Sequence, residues 1–242
     1  MTRKTVFITG AGRRIGAAIV RDLHAYGMDI VLHYHKSKTE AVELAGSLNE
    51  QRANSVFLLQ ADLLTANFNE MASSAIGFTG GIDVLINNAS AFYPTPVGKT
   101  DTAQWEELVG TNLKAPYFLA QACAKYLNES QGCIINVTDI HGETPLKGYP
   151  VYSAAKAGLI MLTKALAKEL GPLIRVNAVS PGAILWPDSL NEASRKNIIS
   201  RTLLKRQGNP EDISNAIRYL IQDADYMTGQ ILTIDGGRTL HS

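Results

Sequence analysis

Residues 5–16, TVFITGAGRRIG, contain a short apolar run that leads into a glycine-rich turn. Val6, Phe7 and Ile8 predict a buried strand, and the residues after Gly16 continue with the apolar spacing of a helix. A glycine-rich turn between a strand and a helix presents free backbone N–H groups and the positive end of the helix dipole to a phosphate. Glycines also occur in simple turns, so the surrounding pattern decides whether this turn binds a nucleotide.

Short apolar runs alternate with longer helical patterns along the whole chain, which is typical of repeated βαβ units. We predict strands near Thr5–Thr9, Ile30–Tyr34, Ser55–Gln60, Val84–Asn87, Cys133–Thr138, Arg175–Ser180 and Ile231–Ile234. We predict helices near Arg14–Tyr26, Thr39–Gln51, Thr65–Ile76, Ala103–Asn128, Val151–Glu169 and Pro210–Gln222. The pattern predicts an α/β fold with a Rossmann-type doubly wound parallel sheet, in a single domain over residues 1–242. The glycine turn is then the first βα turn of that sheet, which favours nucleotide binding.

Composition and charge narrow the class of protein. The 242 residues are 45% hydrophobic and 19% charged, which excludes collagen, low-complexity disorder and a disulfide-stapled miniprotein. The formal net charge is only +1, so we expect no nucleic-acid partner. No apolar stretch approaches the roughly 18 residues of a membrane span, so we expect no membrane partner. Cys123 and Cys133 lack metal-ligand spacing, which predicts reduced core thiols in a cytoplasmic protein and no metal site.

An irregular stretch from Ala183 to Leu190 interrupts the alternation after the sixth predicted strand. It contains Trp186, Pro187 and Asp188. Loops that leave the carboxyl ends of the strands line the ligand crevice of an open α/β sheet. This stretch is therefore a candidate substrate loop or lid, and a plain surface connection is the alternative.

The residues after the second predicted strand indicate which nucleotide would bind. A fold that binds NAD usually places an acidic residue there, but this chain reads HYHKS over residues 33–37. His35, Lys36, Ser37 and Arg13 could reach a 2′-phosphate, so NADP(H) fits better than NAD. A solvated polar loop is the alternative. Asp62, after the third strand, would contact the adenine, or it caps a helix.

A tyrosine and a lysine four residues apart, Tyr152 and Lys156, share one face of a predicted helix. A nearby ammonium favours the phenolate and is expected to lower the tyrosine pKa, which makes the phenol a usable proton donor. The same spacing occurs by chance at Tyr34 and Lys38, so position decides between the two pairs. Tyr152 lies shortly after the fifth strand, and Asp139 precedes it by thirteen residues at that strand's carboxyl end. Both would face the crevice that holds the nucleotide.

Six motifs occur in order along the chain: Thr9–Gly16, Asn87-Asn88-Ala89, Asn112, Tyr152 with Lys156, Pro181-Gly182 and Asp235-Gly236-Gly237. In these motifs and their spacing the sequence resembles the short-chain dehydrogenase/reductase family over nearly its whole length. The resemblance implies a catalytic set of Asp139, Tyr152, Lys156 and Asn112. It implies NADPH contacts from Gly10, Arg13, Arg14, Ile15, His35, Lys36, Ser37, Asp62, Leu63, Asn88, Ala89, Ser90, Thr138, Tyr152, Lys156, Pro181 and Gly182.

Two positions depart from the usual family pattern. The family normally has Gly where this chain has Arg14, and Ser where it has Asp139. In carbonyl-reducing members the serine hydroxyl donates a hydrogen bond to the substrate oxygen, which an ionised carboxylate cannot do. Both departures are shared by the pteridine reductases, which this sequence also resembles in HYHKS and in NNASAFYPTP over residues 87–96. That branch uses NADPH to reduce C=N bonds of dihydropterins and, in some members, folates.

The resemblance also implies a substrate site. The pterin ring would stack between the nicotinamide and Phe92, while Ser90 and Arg14 would pair with its polar edge. Asp139 and Tyr152 would relay a proton to the ring nitrogen that is reduced. Each residue also has a simpler interpretation: Phe92 a core aromatic, Ser90 a turn residue, Arg14 a pyrophosphate ligand only, Asp139 a loop cap and Asn112 an interior helix residue. Pro145 and Tyr149 either shape the pocket or belong to a turn.

The sequence therefore predicts an NADPH-dependent pteridine reductase, acting on dihydrobiopterin, dihydromonapterin or dihydrofolate. A carbonyl reductase of the same fold, for instance one acting on a 3-oxoacyl thioester, is the second hypothesis. A non-catalytic NADP(H)-binding protein is the third. Family members are commonly homotetramers joined through the helices here predicted near Ala103–Asn128 and Val151–Glu169, so we expect a homotetramer.

Overall fold

The computed structural model describes residues 3–186 and 190–240. Within them, seven strands form one sheet in which every neighbouring pair is parallel, in the order β3-β2-β1-β4-β5-β6-β7. The strands are β1 (Thr5–Ile8), β2 (Asp29–Tyr34), β3 (Val56–Gln60), β4 (Val84–Asn87), β5 (Cys133–Val137), β6 (Arg175–Pro181) and β7 (Ile231–Ile234). The predicted Rossmann-type doubly wound sheet is confirmed.

Helices cover both faces of the sheet. They are α1 (Arg14–Ala25), α2 (Lys38–Gln51), α3 (Phe68–Thr79), α4 (Thr102–Val109), α5 (Ala115–Glu129), α6 (Pro150–Leu170), α7 (Glu192–Ser200) and α8 (Pro210–Gln222). Alternate residues of β1 point to opposite faces, so Ile8 belongs to a core with α1, α2 and α8. Phe7 belongs to a second core with α3, α5 and α6.

Two predicted helices differ from the structure in their bounds, and one helix was not predicted. The helix predicted near Ala103–Asn128 consists of α4, a π-helical turn over Gly110–Lys114, and α5. The helix predicted near Thr65–Ile76 begins later, because the side chain of Asn67 caps it by accepting the N–H groups of Asn69 and Glu70. Helix α7 was not predicted, since it buries none of its side chains and so lacks an apolar period.

The irregular stretch after β6 has neither helix nor strand over residues 183–186. Pro187 and Asp188, which the sequence analysis singled out, lie outside the described residues. The carbonyl oxygen of Leu185 lies 3.5 Å from Nη2 of Arg14, so this stretch reaches the turn that follows β1. That contact supports the interpretation as a loop over the ligand crevice.

The strand order reverses between β1 and β4, because the chain runs outward from β1 to β3 and then returns to the other side of β1. Ligands of doubly wound folds bind at this switch point, beyond the carboxyl ends of the strands. Gly10 follows β1 and Asn88 follows β4. The fold therefore places both motifs at one crevice.

Other sequence expectations concern groups away from the crevice. Cys123 and Cys133 are buried free thiols, and burial raises their pKa to about 12 and about 11. In the part of the chain that the structure describes, no group of three or more His, Cys, Asp or Glu side chains could hold a metal ion. None of the helices described is both long enough and apolar enough to cross a membrane. The homotetramer stays a prediction; α4, α5 and α6 expose the apolar side chains Trp105, Tyr117, Phe118 and Met161.

Candidate active site

The glycine turn after β1 is packed too tightly for side chains. Gly10 has a φ of +62°, and a Cβ there would lie 2.7 Å from Cα of Ala89. A Cβ on Gly16 would lie 2.5 Å from the carbonyl oxygen of Gly10. The turn therefore needs glycine at both positions.

Hydrogen bonds from Thr9 and Asn88 hold this turn against the end of β4. Oγ1 of Thr9 accepts the N–H groups of Asn88 and Ala89, each at 3.0 Å. The Asn88 carboxamide donates to the carbonyl oxygens of Thr9 and Gly10, each at 2.9 Å. Thr9 belongs to the quoted motif but was given no role from sequence, although a hydroxyl residue before a glycine turn is the signal that could have indicated one.

The start of helix α1 fits the phosphates of a dinucleotide. Its N-cap residue, Arg13, makes no capping hydrogen bond with its side chain, so the cap satisfies none of the first N–H groups of the helix. These groups and the helix dipole favour an anion. Arg14 has a φ of +56°, a left-handed conformation that explains why the family normally has glycine there. Its guanidinium lies between the turn and Leu185.

The residues expected at the adenosine end lie next to this turn. A Cβ on Gly12 would be 2.8 Å from Oγ of Ser37, so α2 begins beside the glycine turn. His35 and Lys36 are exposed after β2. Nε2 of His35 lies 3.7 Å from Oδ2 of Asp62, whose Oδ1 accepts the N–H of Leu64. Asp62 thus caps a turn ahead of α3 rather than the helix itself.

Asp139 holds both a turn and the candidate catalytic tyrosine. Its Oδ1 accepts the N–H of His141 at 2.8 Å, which caps the short 3₁₀ turn over Ile140–Gly142. Its Oδ2 accepts a hydrogen bond from the Tyr152 hydroxyl, also at 2.8 Å. The loop-cap and catalytic interpretations of Asp139 are therefore compatible, because each uses a different carboxylate oxygen.

The expected lowering of the Tyr152 pKa is wrong for this structure. Burial raises the pKa of Tyr152 well above its usual value, and the negative charge and hydrogen bond of Asp139 raise it further. A hydrogen bond involving Ser90 opposes these effects only in part. Lys156 does not reverse the balance, since its Nζ is 5.8 Å from the centre of the phenol ring. The phenol is therefore neutral and retains its proton at neutral pH.

Lys156 is a buried cation near the end of β5. Its Nζ donates to the carbonyl oxygen of Val137 at 2.9 Å, and the residue is 2% exposed. Burial lowers the pKa of Lys156 to about 8, although the charge of Asp139 acts in the opposite direction. The ammonium form therefore predominates at neutral pH but titrates within a measurable range.

Asn112 lies in the π-helical turn between α4 and α5. Its Nδ2 donates to the carbonyl oxygens of Ala91 and Leu108, and its Oδ1 accepts the hydroxyl of Ser90 at 2.7 Å. Single π turns inside helices are frequent at functional sites. Asn112 thus fixes the loop after β4 that carries Ser90 and Ala91. Its expected part in a proton path to Lys156 stays a prediction.

Phe92 is 42% exposed, so its interpretation as a core aromatic is wrong. Its ring stacks on Tyr149 with centroids 4.7 Å apart and planes 15° apart. The same ring meets Tyr152 edge-on at 4.8 Å. Phe92 and Tyr149 therefore form an aromatic wall next to the phenol, which sequence spacing alone could not show.

The remaining predicted cofactor residues lie at the carboxyl ends of β3, β5 and β6. Leu63 is buried just after Asp62. The hydroxyl of Thr138 donates to the Val179 carbonyl oxygen at 3.0 Å. A Cβ on Gly182, which follows Pro181, would lie 2.6 Å from Cβ of Asp235. Together with Ile15 in the first turn of α1, these residues line the edge of the sheet where the crevice opens.

A glycine turn before an uncapped helix, with a buried tyrosine and lysine and a partly buried carboxylate, defines a nicotinamide-dependent oxidoreductase. Comparison with known proteins agrees. A family model described as enoyl-(acyl carrier protein) reductase matches residues 10–239. The chain belongs to the short-chain dehydrogenase/reductase family.

Individual relatives cover almost the whole chain. Pteridine reductase 1 of Leishmania tarentolae is 35% identical over an alignment of 284 positions, gaps included, which covers 99% of this chain and 97% of that protein. A 3-oxoacyl-[acyl-carrier-protein] reductase of Synechocystis is 33% identical and covers 99% of this chain and 98% of its own. A Staphylococcus aureus reductase of the same description is 32% identical, with 97% coverage of both chains. These relatives leave open which substrate is reduced.

The titration of Lys156 should appear in the pH profile of the free enzyme. Above about pH 8 the lysine loses its charge, so kcat/KM for the cofactor should fall with one apparent pKa near 8. Tyr152 should not add a second step there, because its pKa is raised well above 10. Lys164→Gln, which removes an exposed lysine of the same helix, is the control and should leave the profile unchanged. A kcat/KM that stays constant up to pH 10 would contradict the role of the charged Lys156 in cofactor binding.

Proposed function

We propose that the protein is an NADPH-dependent pteridine reductase. It would reduce dihydropterins such as dihydrobiopterin or dihydromonapterin to their tetrahydro forms, with dihydrofolate as a further substrate. The observation that carries this proposal is the 2.8 Å hydrogen bond from the Tyr152 hydroxyl to Asp139, at the position where carbonyl-reducing members have serine.

The groups after β2 support NADPH as the cofactor. The exposed His35 and Lys36, with Ser37 and Arg13 beside them, provide cations and a hydroxyl where a 2′-phosphate would lie. No carboxylate occurs in HYHKS, and the carboxylate of Asp62, which follows β3, contacts His35 and the N–H of Leu64 in its own turn. A ribose with a 2′-phosphate is therefore accommodated better than one with two free hydroxyls.

Reduction of a C=N bond needs a hydride at carbon and a proton at nitrogen. When bound, the cofactor supplies the hydride. Tyr152 is a neutral phenol in this structure, so it can donate its proton to a substrate nitrogen. Asp139 is only partly buried, so its carboxyl group can take a proton from solvent and return it to Tyr152 through the existing hydrogen bond. Lys156 and Asn112 would hold this arrangement through the contacts described above.

The open aromatic wall supports a flat substrate. Phe92 presents a partly exposed ring next to Tyr152, which suits stacking against a pterin. Ser90 and Arg14 are exposed on either side of the crevice and could pair with the donor and acceptor edge of that ring. Arg14 would also contact the cofactor pyrophosphate, so it would bridge the two ligands.

A carbonyl reductase is the second candidate, because relatives described as 3-oxoacyl-[acyl-carrier-protein] reductases are nearly as similar as the pteridine reductase. Against it stands Asp139, whose Oδ2 already accepts the Tyr152 hydroxyl; in its ionised form this carboxylate, unlike a serine, has no O–H to donate to a carbonyl oxygen. A non-catalytic NADP(H)-binding protein has less support, since the Tyr152 hydroxyl bonds to Asp139 and Nζ of Lys156 lies 5.8 Å from the centre of the phenol ring.

The proposal is tested by following NADPH oxidation with a panel of substrates. Dihydrobiopterin, dihydromonapterin and dihydrofolate should be turned over, whereas a 3-oxoacyl thioester and a simple diketone should not, and NADH should support little activity. Tyr152→Phe keeps the ring and removes only the phenolic hydroxyl, so it should lower turnover by about 10²–10⁴. Turnover confined to the carbonyl substrates would contradict the proposal but not the family.

Stacking on Phe92 is tested separately from chemistry. Phe92→Leu removes the flat ring, so dihydrobiopterin should bind to the NADP⁺-loaded protein about 3- to 10-fold more weakly by calorimetry. NADPH affinity should stay within about twofold. The matched control is Phe78→Leu, which removes a comparably exposed ring that stacks on Phe57 instead. Equal pterin affinity in the two variants would remove Phe92 from the site.

A further inference from the structure

His33 is a buried imidazole that no role above includes. It lies in β2, and the residue is 1% exposed. Its Nδ1 is 3.1 Å from the backbone nitrogen of Gly10, and its Nε2 is 3.1 Å from the carbonyl oxygen of Ala61. Its own carbonyl oxygen accepts the N–H of Ala11 at 2.9 Å. One residue of β2 thus contacts the turn after β1 twice and the end of β3 once.

The two partners fix the protonation state of the ring. The Gly10 N–H can only donate, so Nδ1 must be an unprotonated acceptor. The Ala61 carbonyl oxygen can only accept, so Nε2 must carry the hydrogen. Burial lowers the pKa of His33 to about 4; the hydrogen bond to the Ala61 carbonyl and the charge of Asp62 oppose this effect, and His35 adds to it, so the ring is neutral at pH 7. The Ala61 contact therefore selects the tautomer in which Nδ1 faces the glycine turn.

The contact adds to the interactions that hold Gly10 in place. Its φ of +62° and its close approach to Ala89 restrict the backbone of the turn, and Asn88 holds its carbonyl oxygen. His33 holds its N–H from the opposite side, across β1 and β2. Without that acceptor, the partly buried N–H group of Gly10 would lose its partner, and a shift of the turn toward another acceptor would be favoured.

We propose that His33 is a positioning residue for the dinucleotide, acting through Nδ1 on the Gly10 N–H so that the glycine turn keeps the shape that receives the pyrophosphate. The inference rests on the proposed cofactor site, because it assigns His33 a function only if NADPH binds at this turn. The proposed role differs from a purely structural one, because NADPH affinity should depend on the Nδ1 contact alone. The Nε2 contact only sets the tautomer.

Two amide substitutions separate the contacts. In His33→Asn, the side-chain oxygen can take the place of Nδ1 and accept the Gly10 N–H. In His33→Gln, the longer side chain places its amide near the position of Nε2 and leaves the Gly10 N–H without a partner. His33→Leu removes both contacts. His24→Leu is the matched control, because His24 is also a buried histidine, 5% exposed, but bonds to Ser55 away from the crevice.

The readouts are NADPH affinity by fluorescence titration, KM for NADPH, and thermal stability. His33→Gln and His33→Leu should bind NADPH about tenfold more weakly, whereas His33→Asn should stay within about threefold of the wild type. The loss should appear in KM for NADPH rather than in kcat. His24→Leu should lower the melting temperature and leave NADPH affinity unchanged.

Equal NADPH affinity of His33→Asn and His33→Gln, whether normal or weakened, would overturn the inference while leaving the cofactor site intact. The comparison of His33→Asn with His33→Gln tests the inference even if His33→Leu does not fold. Wild-type protein that binds no NADPH would overturn the proposed function, and the inference with it.

Discussion

The junction between β1 and β4 is the constraint on which the site depends. There the strand order reverses, and two polar side chains join the strand ends: Thr9 accepts two backbone N–H groups from the β4 side, and Asn88 donates to two carbonyl oxygens on the β1 side. The junction closes only because Gly10 has no side chain to meet Ala89. Since β4 continues into the backbone of Ser90 and Phe92, the same contacts that shape the glycine turn also place the Phe92 side of the aromatic wall.

The second constraint is the double use of Asp139. One carboxylate oxygen holds the turn that leads from β5 toward α6, and the other holds the Tyr152 hydroxyl. The acid, the phenol and the first turns of α6 are therefore fixed relative to one another before any substrate binds. Groups held in place in this way lower the barrier to a proton transfer more than the same groups on flexible loops would, because they need no reorganisation during the step.

Much of this arrangement could be predicted from sequence because it depends on local patterns. The apolar period gave β4 and β7 with their observed bounds, and the order of motifs placed Gly10, Asp139 and Tyr152 at one edge of the sheet. Properties that depend on packing could not be predicted. The pKa of Tyr152 follows burial and Asp139 rather than the nearby lysine, and Phe92 is exposed although its residue type favours a core. Likewise, the role inferred for His33 needs the register that sets β2 between β1 and β3.

The most direct test of the account is the substrate preference of Asp139→Ser. Serine can still cap the turn at His141, so the fold should be kept while the carboxylate is replaced by a hydroxyl donor. The measurement is the ratio of kcat/KM for dihydrobiopterin to kcat/KM for a 3-oxoacyl thioester, with NADPH. The account predicts that the substitution lowers this ratio by about 10² or more. A ratio equal to that of the wild type would show that Asp139 does not select the substrate, and would contradict the account.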